Sequence, residues 1–288
     1  MARGHKAQAL FARLGSVCDG VVLKPTCAQG HARTLAAEAV AEGFSTVVAA
    51  GGDGTVNEVV NGLVDAADGG LQQARLGILP IGTVNVFARE LGIPLNWQAA
   101  LDVIRGDREV EVDVPYAEFQ GAVGREKRSF IQLAGAGWDA RTIELTTWEM
   151  KKKFGFLAYV FSGLKALGES GHQVTVRTAN DSATGQLVLI GNGRYYAGSY
   201  PLFHRAANSD GLLDICIFDR FDWGTLPRYT LKFLTNQLFR PGAYTYFQAK
   251  EVTLSAATNA GLELEGELVG GLPAHFQMNP NRLRVVVA

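Results

Sequence analysis

At 288 residues the chain exceeds one average domain, and its 47% apolar content is ample for sizeable cores. A formal net charge of −1 gives no electrostatic case for nucleic acid, whose binders usually show a strongly basic patch or domain. The three scattered cysteines, Cys18, Cys27 and Cys216, exclude a disulfide framework or a zinc site and read as reduced thiols of a cytoplasmic protein.

In chain order, residues 1–15 lack the apolar core of a signal peptide, and no stretch approaches the ~18–20 apolar residues of a membrane span. Residues 31–42 place Leu35, Ala36, Ala39 and Val40 on one helical face and stop at Gly43, a good C-terminal cap. The run STVVAA at 45–50 predicts a buried parallel strand. Val56, Val59, Val60, Leu63 and Val64 then recur at helical spacing. The grammar repeats with a strand at 76–79, a turn at 80–83, and a helix burying Val84, Phe87, Ala88 and Leu91. Strand, glycine turn and helix, twice over, predict an α/β domain with a parallel, Rossmann-like sheet across residues 1–115.

From Glu109 the pattern alternates with period two, at 109–114, 172–178, 212–218, 250–256 and 262–269. Many strands with glycine and asparagine turns predict an antiparallel β-sandwich domain across residues 116–275. Helical segments near 154–167 and 223–238 interrupt it. In the tail, residues 276–288, the run RLRVVV reads as a strand that could return to either domain.

The chemistry concentrates at 51–58, GGDGTVNE. Gly51, Gly52 and Gly54 let the backbone turn sharply and aim amides at a ligand. The helix that follows adds its positive end, so an anion is stabilised there. Asp53 sets a carboxylate beside that cradle, which suits binding of Mg²⁺ or acceptance of a proton. Thr55 can cap the helix or donate to a phosphate oxygen. The alternative is a plain helix-capping turn in which Asp53 and Thr55 satisfy free amides. The strand before it and the amphipathic helix after it favour phosphate binding.

GGDGTVNEVVNGL at 51–63 resembles the signature of the diacylglycerol kinase catalytic-domain family, which includes bacterial lipid kinases and sphingosine kinases and is more distantly related to NAD kinases. LGILPIGTVNVFARELGIP at 76–94, NGRYYAG at 192–198 and NSDGLLDI at 208–215 are similar to its later motifs, in order. NAD kinases and phosphofructokinases share the GGDG turn without usually following it by NEVVNGL and PxGTxNxFAR. The resemblance implies an NAD kinase-like fold and an ATP-dependent kinase acting on the hydroxyl of diacylglycerol or a related lipid. A catalytically weak nucleotide- or lipid-binding relative and an NAD kinase-like enzyme are the alternatives.

Carried over residue by residue, the resemblance implies an ATP site of Thr26, Gly51, Gly52, Asp53, Gly54, Thr55, Val56, Asn57, Glu58 and Thr83. It also implies a Mg²⁺ site of the Asp210 carboxylate with backbone carbonyls near Ala207 and Leu212. On the residues alone, Thr26 also reads as a turn hydroxyl, and Asp210-Gly211 as a turn before a strand. The family's base is usually the aspartate of an Asp-Gly-Glu motif, where this chain has Glu265-Gly266-Glu267. Alternation sets Glu263 and Glu265 opposite Leu262 and Leu264, free to face a cleft, although a solvated acidic strand face fits the same pattern. The candidate catalytic residues are Glu265 as base, Asp53 organising metal and phosphate, and Glu267.

Family members normally begin with a strand and an Asn-Pro-x-Ser-Gly loop, whereas this sequence starts at about the helix after that loop. Weak or no kinase activity is therefore expected; equal ATP turnover with and without upstream-encoded residues would contradict it. The implied partner is a lipid at a membrane surface, with no nucleic acid, and a homodimer is compatible. The location expected is cytoplasmic and peripheral at the inner membrane face. Lys151–Lys153, followed by Phe154, Phe156, Tyr159 and Phe161, fits a surface that lies on anionic headgroups or a turn before a buried helix. The aromatic set Tyr229, Phe233, Phe239, Tyr244 and Phe247 carries the same two readings.

Overall fold

A computed structural model describes residues 20–67, 69–145, 172–220, 222–235, 242 and 244–288. Cys18, Phe239, the 151–161 basic and aromatic segment and the helix expected near 154–167 lie outside the described residues.

The first layer is α/β. Helix α1 (His31–Ala41) leads to strand β1 (Thr46–Gly51), helix α2 (Asp53–Asp65), a short α3 (Gly70–Gln73) and strand β2 (Arg75–Pro80). Helix α4 (Val86–Glu90), helix α5 (Trp97–Ile104) and strand β3 (Glu109–Val112) complete it. Pairing of β1 with β2 is parallel, as the β-branched run predicts. The last strand of the chain, β17 (Leu283–Val286), lies between β2 and β3, parallel to the first and antiparallel to the second. Among the described residues the sheet order is β1-β2-β17-β3, with β1 at an edge.

Val56, Val59, Val60 and Leu63 of α2 pack with Ala32, Ala36 and Val40 of α1 and Leu76 and Ile78 of β2 in one core. The two helices touch at Gly62, where a Cβ would lie 2.2 Å from the Arg33 carbonyl oxygen, so only glycine allows this approach. The expected start of α2 at Val56 is corrected by one turn: Val56 N donates to Gly52 O at 3.0 Å, which makes residues 53–55 helical. Helix α5 has no counterpart in the sequence reading. Its entry is fixed by Asn96, whose side chain accepts from the amides of Gln98 and Ala99.

The second layer is an antiparallel β domain. It contains β4 (Pro115–Gly121), β5 (Gly124–Ser129), β6 (Leu133–Gly137), β7 (Val174–Arg177), β8 (Ser182–Gly185) and β9 (Leu187–Gly191). After a small pair, β10 (Tyr195–Tyr196) with β11 (Tyr200–Pro201), come β12 (Leu213–Phe218), β13 (Thr245–Ala249), β14 (Glu251–Ala256), β15 (Gly261–Leu264) and β16 (Glu267–Met278). Among the described residues eleven strands join, nine in the path β13-β12-β9-β6-β15-β16-β14-β7-β8, with β4 paired to β16 and β5 to β4. Strand β8 runs through Gln186 directly into β9, so the sheet curls back on itself around Phe119, Phe130, Val176, Ile190, Ile215 and Phe276. Helix α6 (Trp138–Leu145) packs on β6 and β15, and α7 (Leu226–Leu234) precedes β13.

Tyr244 is buried, and Tyr229 and Phe247 pack partly buried against the cores, so these three aromatics serve the interior. Among the described residues no helix is long and apolar enough to cross a membrane.

The layers are joined by polar side chains rather than by a linker. Asn61 Oδ1 accepts from Ser129 N at 2.9 Å while its Nδ2 donates to Ser129 O at 2.9 Å, a reciprocal pair in a buried setting. Asp113 accepts from Gly211 N at 2.6 Å and from Arg282 Nε at 2.8 Å, and Asn192 Nδ2 donates to the carbonyls of Asp113 and Ile131 at 2.9 Å each. Asn61→Ala leaves the Ser129 backbone unpaired in a dry seam, which costs about 1–3 kcal/mol for each buried group so stranded. A urea-unfolding midpoint unchanged from wild type would contradict this account of the seam.

Candidate active site

Two strand-to-helix turns lie side by side at the carboxyl ends of the parallel strands, where ligands of open α/β sheets bind. The first runs from β1 into α2, the second from β2 into α4. They meet backbone to backbone: a Cβ on Gly82 would sit 2.3 Å from Gly52 Cα and 3.0 Å from Gly52 N. Gly51 O accepts from the amides of Ile81 and Gly82 at 3.1 and 3.2 Å. The Thr55 side chain covers Gly51, where a Cβ would meet its Oγ1 at 2.4 Å. The N-cap of α2 is Gly52, with no side chain bonded to the exposed amides. The first-turn N–H groups of a helix have no intrahelical acceptor, so those at 52–55 remain available to an anion.

Asp53 ties the two turns together. Its Oδ1 accepts from Phe87 N at 3.2 Å, at the start of α4. Burial raises its pKa above the ordinary aspartate value, against the opposing pull of backbone amides at Phe87, Val86, Asp53 and Asn85. Asn85 adopts φ 54° and donates to Gly82 O at 3.1 Å, while its Oδ1 is buried beside both glycines without a partner.

The remaining residues of the 51–58 motif divide by role. Val56 and Asn57 are buried in α2, and Glu58 turns away from the glycines. Its carboxylate accepts from Gly30 N at 2.8 Å and Ala32 N at 3.1 Å, capping α1 and fixing the segment that carries the exposed Thr26. Thr83 is exposed on the second turn.

Across the cleft stands the hairpin between β15 and β16. Glu265 and Gly266 form its two-residue turn with φ values of 54° and 79°, both positive as a tight hairpin of this hand requires. Glutamate at such a position is uncommon, and its side chain supplies the compensation. The amides of Ile131, Gln132 and Leu133 donate to Glu265 Oε1 at 2.7, 2.6 and 3.3 Å. These contacts leave Oε2 without a hydrogen-bond partner among the described residues. Burial pushes the Glu265 carboxyl up to about 7; the amides of Gln132 and Ile131 oppose this, and the charge of Asp53 adds to it. Asp53 and Glu265 therefore face one another electrostatically across the cleft.

Glu267 lies on the same side, its Oε1 3.7 Å from where a Gly54 Cβ would be and its Oε2 4.0 Å from an Arg128 guanidinium nitrogen. The expectation for Glu263 is corrected. Alternation does set Glu263 opposite Leu262 and Leu264, but helix α6 covers that face, and Glu263 is fully buried against Asp139 behind the turn instead of facing the cleft.

Sequence reasoning missed the residues that frame this cleft. Glu90, nearly buried at the end of α4, accepts from the amides of Arg194 and Tyr195 at 2.8 and 3.1 Å and pairs with Arg194 Nε at 2.9 Å. That bond set clamps the second turn to the NGRYYAG segment. A signal for Asn61 was present: Asn57 and Asn61 are polar, four residues apart, on the otherwise apolar stripe of α2.

Residues 3–117 match the model of the diacylglycerol kinase catalytic domain, and residues 132–287 match the YegS C-terminal NAD kinase beta sandwich-like domain. The chain belongs to the diacylglycerol kinase catalytic-domain family. Within the family it is 34% identical over 268 residues to a protein of Pseudomonas savastanoi pv. phaseolicola named "Probable lipid kinase YegS-like", covering 89% of this chain and 80% of that one. It is 31% identical over 252 residues to a protein of Staphylococcus haemolyticus named "Diacylglycerol kinase", covering 86% and 72%. A solved diacylglycerol kinase from Bacillus anthracis str. Sterne superposes with a TM-score of 0.71 at 23% identity, over 91% of this chain and 84% of that one. At that identity the superposition speaks to the fold, which these family members share: a parallel α/β layer followed by an antiparallel β domain.

The loop that the family resemblance assigns to Mg²⁺ lies between the β10–β11 pair and β12. Asp210 Oδ1 accepts from Leu212 N at 3.0 Å, and Ala207 O accepts from Asp210 N at 3.2 Å. Asp214 next to it is fully buried, with Tyr246 donating to one oxygen and no partner on the other. Burial first, then the charge of Asp210, raises its carboxyl to about 6. An orphaned carboxylate oxygen beside Asp210, among carbonyls, is a hard-oxygen setting compatible with Mg²⁺. Among the described residues no three acidic, histidine or cysteine groups converge as a preformed cage in either place.

Proposed function

We propose that this lipid-kinase family member transfers the γ-phosphoryl group of ATP to a hydroxyl of diacylglycerol or a related lipid. One observation carries the reading. Glu265 stands opposite the Gly51–Gly54 turn and Asp53, held by three amides through one oxygen with its other oxygen unpaired, and burial pushes its carboxyl up to about 7. A general base works best when its pKa lies near the working pH.

In this reading the free amides at 52–55 and the hydroxyls of Thr55 and Thr83 hold the phosphate oxygens, with Thr26 touching the nucleotide from the α1 side. Glu265 Oε2 accepts the proton of the lipid hydroxyl as its oxygen bonds to the γ-phosphorus, and the bond to the bridging oxygen breaks to release ADP. Asp53 and Glu267 flank the phosphates and would hold Mg²⁺, which supplies neutralisation of phosphate charge when bound. Its ligands would then come chiefly from the nucleotide, consistent with the absence of a preformed cage among the described residues. The second cation would rest on Asp210 with the carbonyls of Ala207 and Leu212. Millimolar Mg²⁺ is expected to raise Tm of wild type and leave Asp210→Asn unmoved; equal shifts in both would remove Asp210 from that role.

The lipid is met at a membrane surface. The test is radiolabelled ATP offered with vesicles or micelles of diacylglycerol, monoacylglycerol or sphingosine, and separately with NAD. Label in a lipid is expected. Label in NAD alone would replace the reading by an NAD kinase-like one, and ATP binding without transfer would favour a non-catalytic relative. Use of a glutamate where the family usually has aspartate is the specific reason to keep that last outcome in the test.

A further inference from the structure

Behind the Glu265-Gly266 turn lies a second acidic group that the proposed reaction does not use. Glu263 and Asp139 are both buried, on β15 and α6 respectively. Their oxygens converge over Gly135 of β6: a Cβ there would sit 2.6 Å from Asp139 Oδ2 and 2.6 Å from Glu263 Oε1. Tyr196 Oη donates to the other Asp139 oxygen at 3.0 Å, and Gly266 N donates to the other Glu263 oxygen at 2.8 Å. A chain of contacts therefore runs from Tyr196 through Asp139 and Glu263 to the backbone of the residue after Glu265.

With both groups ionised this arrangement fails. Both facing oxygens would be acceptors, and Glu263 Oε1 has no donor within reach and no solvent. Two like charges in a dry site repel strongly, and a carboxyl pair in that position keeps one proton between them. Nothing nearby offsets the charge among the described residues. Strands β6 and β9 carry no ionisable side chain, Arg141 pairs with Glu144 on α6 itself, and Tyr196 is a neutral donor. On β16, Glu267 stands beside Gly54, and His275 faces Thr253 and Glu251. Glu265 is the remaining neighbour and adds negative charge.

We propose that Asp139 and Glu263 share one proton and act as a positioning pair, anchoring Gly266 so that the Glu265 carboxyl meets its three amides. Glu263 is the bridge. One of its oxygens fixes the turn and the other is fixed by the proton, which in turn is fixed by Asp139 and Tyr196. The purpose assigned to the anchored turn rests on the proposed kinase reading, while the shared proton does not.

The test separates the two. Carboxyl ¹³C NMR of glutamate-labelled protein follows each side chain through pH 4–9, with Glu263 assigned by loss of its signal in Glu263→Gln. The Glu263 signal is expected to stay in, or partway toward, the protonated position through pH 7, while exposed glutamates titrate near about 4.3. A Glu263 signal that titrates with them overturns the shared proton. In Glu263→Gln, an amide that can still accept from Gly266 and donate to Asp139, the amide ¹H and ¹⁵N signals of Ile131, Gln132 and Leu133, which donate to Glu265 Oε1, are expected to stay where they are in wild type. In Glu263→Ala those three amide signals are expected to shift, with kcat falling and KM held. Unmoved amide signals in Glu263→Ala, despite a lowered Tm, make the pair structural only and overturn positioning. Should Glu263→Ala not fold, Glu263→Asp, one methylene short of Gly266, replaces it with the same two outcomes. A wild type that transfers no phosphate leaves every NMR outcome readable and counts against the kinase reading alone.

Discussion

Glu265→Gln is expected to reduce kcat by about 10²–10⁴-fold, the usual share of a general base, with nucleotide affinity retained. Glutamine keeps the size of the side chain and an oxygen for the amides of Ile131, Gln132 and Leu133, so the hairpin turn should stand. What disappears is the proton acceptor. The pH profile sharpens the prediction. With its carboxyl raised to about 7, wild-type kcat/KM should climb as pH rises towards 7 and level above it, whereas the residual rate of the variant should show no such limb. Stability should move in the opposite sense. A carboxyl whose folded pKa lies above its unfolded value of about 4.3 binds its proton more readily in the folded state, so folding loses stability as pH rises from there towards 7. Glu265→Gln removes that loss, and its Tm at pH 8 should equal or exceed wild type. A variant that is as active as wild type, or equally active but less stable, would take Glu265 out of the chemistry.

The second large effect is expected at Gly82. An alanine methyl there would overlap Gly52 Cα at 2.3 Å, and both sides of the contact are backbone. No flexible side-chain end can move aside, so the two turns must separate. Overpacking of this kind costs typically 1–3 kcal/mol in stability. Its effect on function should be larger, because a displacement of about 1 Å can cost roughly a hundredfold in rate. Gly82→Ala should therefore fold with a lowered Tm and lose ATP affinity and turnover together, by about 10²-fold in kcat/KM. Gly92→Ala is the comparison: φ there is +67°, so alanine is strained, but no atom lies within 4 Å of the new methyl. A Gly82→Ala protein that binds ATP like Gly92→Ala would contradict the two-turn cradle.

Much of this architecture could be read from residue pattern because local and global preferences agree there. The β-branched run before Gly51 and the apolar stripe from Val56 to Leu63 both point to strand–turn–helix, and β1 and α2 form accordingly. The period-two runs of the second half likewise became antiparallel strands. Reading failed where tertiary contacts decide. The helix start moved to Asp53 because the turn closes against Gly82, a residue thirty positions along. Helix α5 depends on an Asn96 cap that follows an unremarkable Ile-Pro-Leu segment. Alternation put Glu263 on the correct face but could not show that helix α6, more than 115 residues earlier, covers that face and buries it. Glu265 itself was legible only through family resemblance. Its three amide partners come from the loop between β5 and β6 and the first residue of β6, more than 130 residues earlier in the chain, and no periodicity could have joined them.

Central to the account is one cleft formed by the Gly52 and Gly82 turns on one side and the Glu265 hairpin on the other. A crystal structure with Mg²⁺ and a non-hydrolysable ATP analogue tests it most directly. The γ-phosphate is expected on the amides of residues 52–55, with Glu265 Oε2 facing the open side of its phosphorus. Nucleotide bound instead in the pocket of about 510 Å³ lined by Arg108, Asn208 and Ser209, with the Gly52 turn empty, would contradict it.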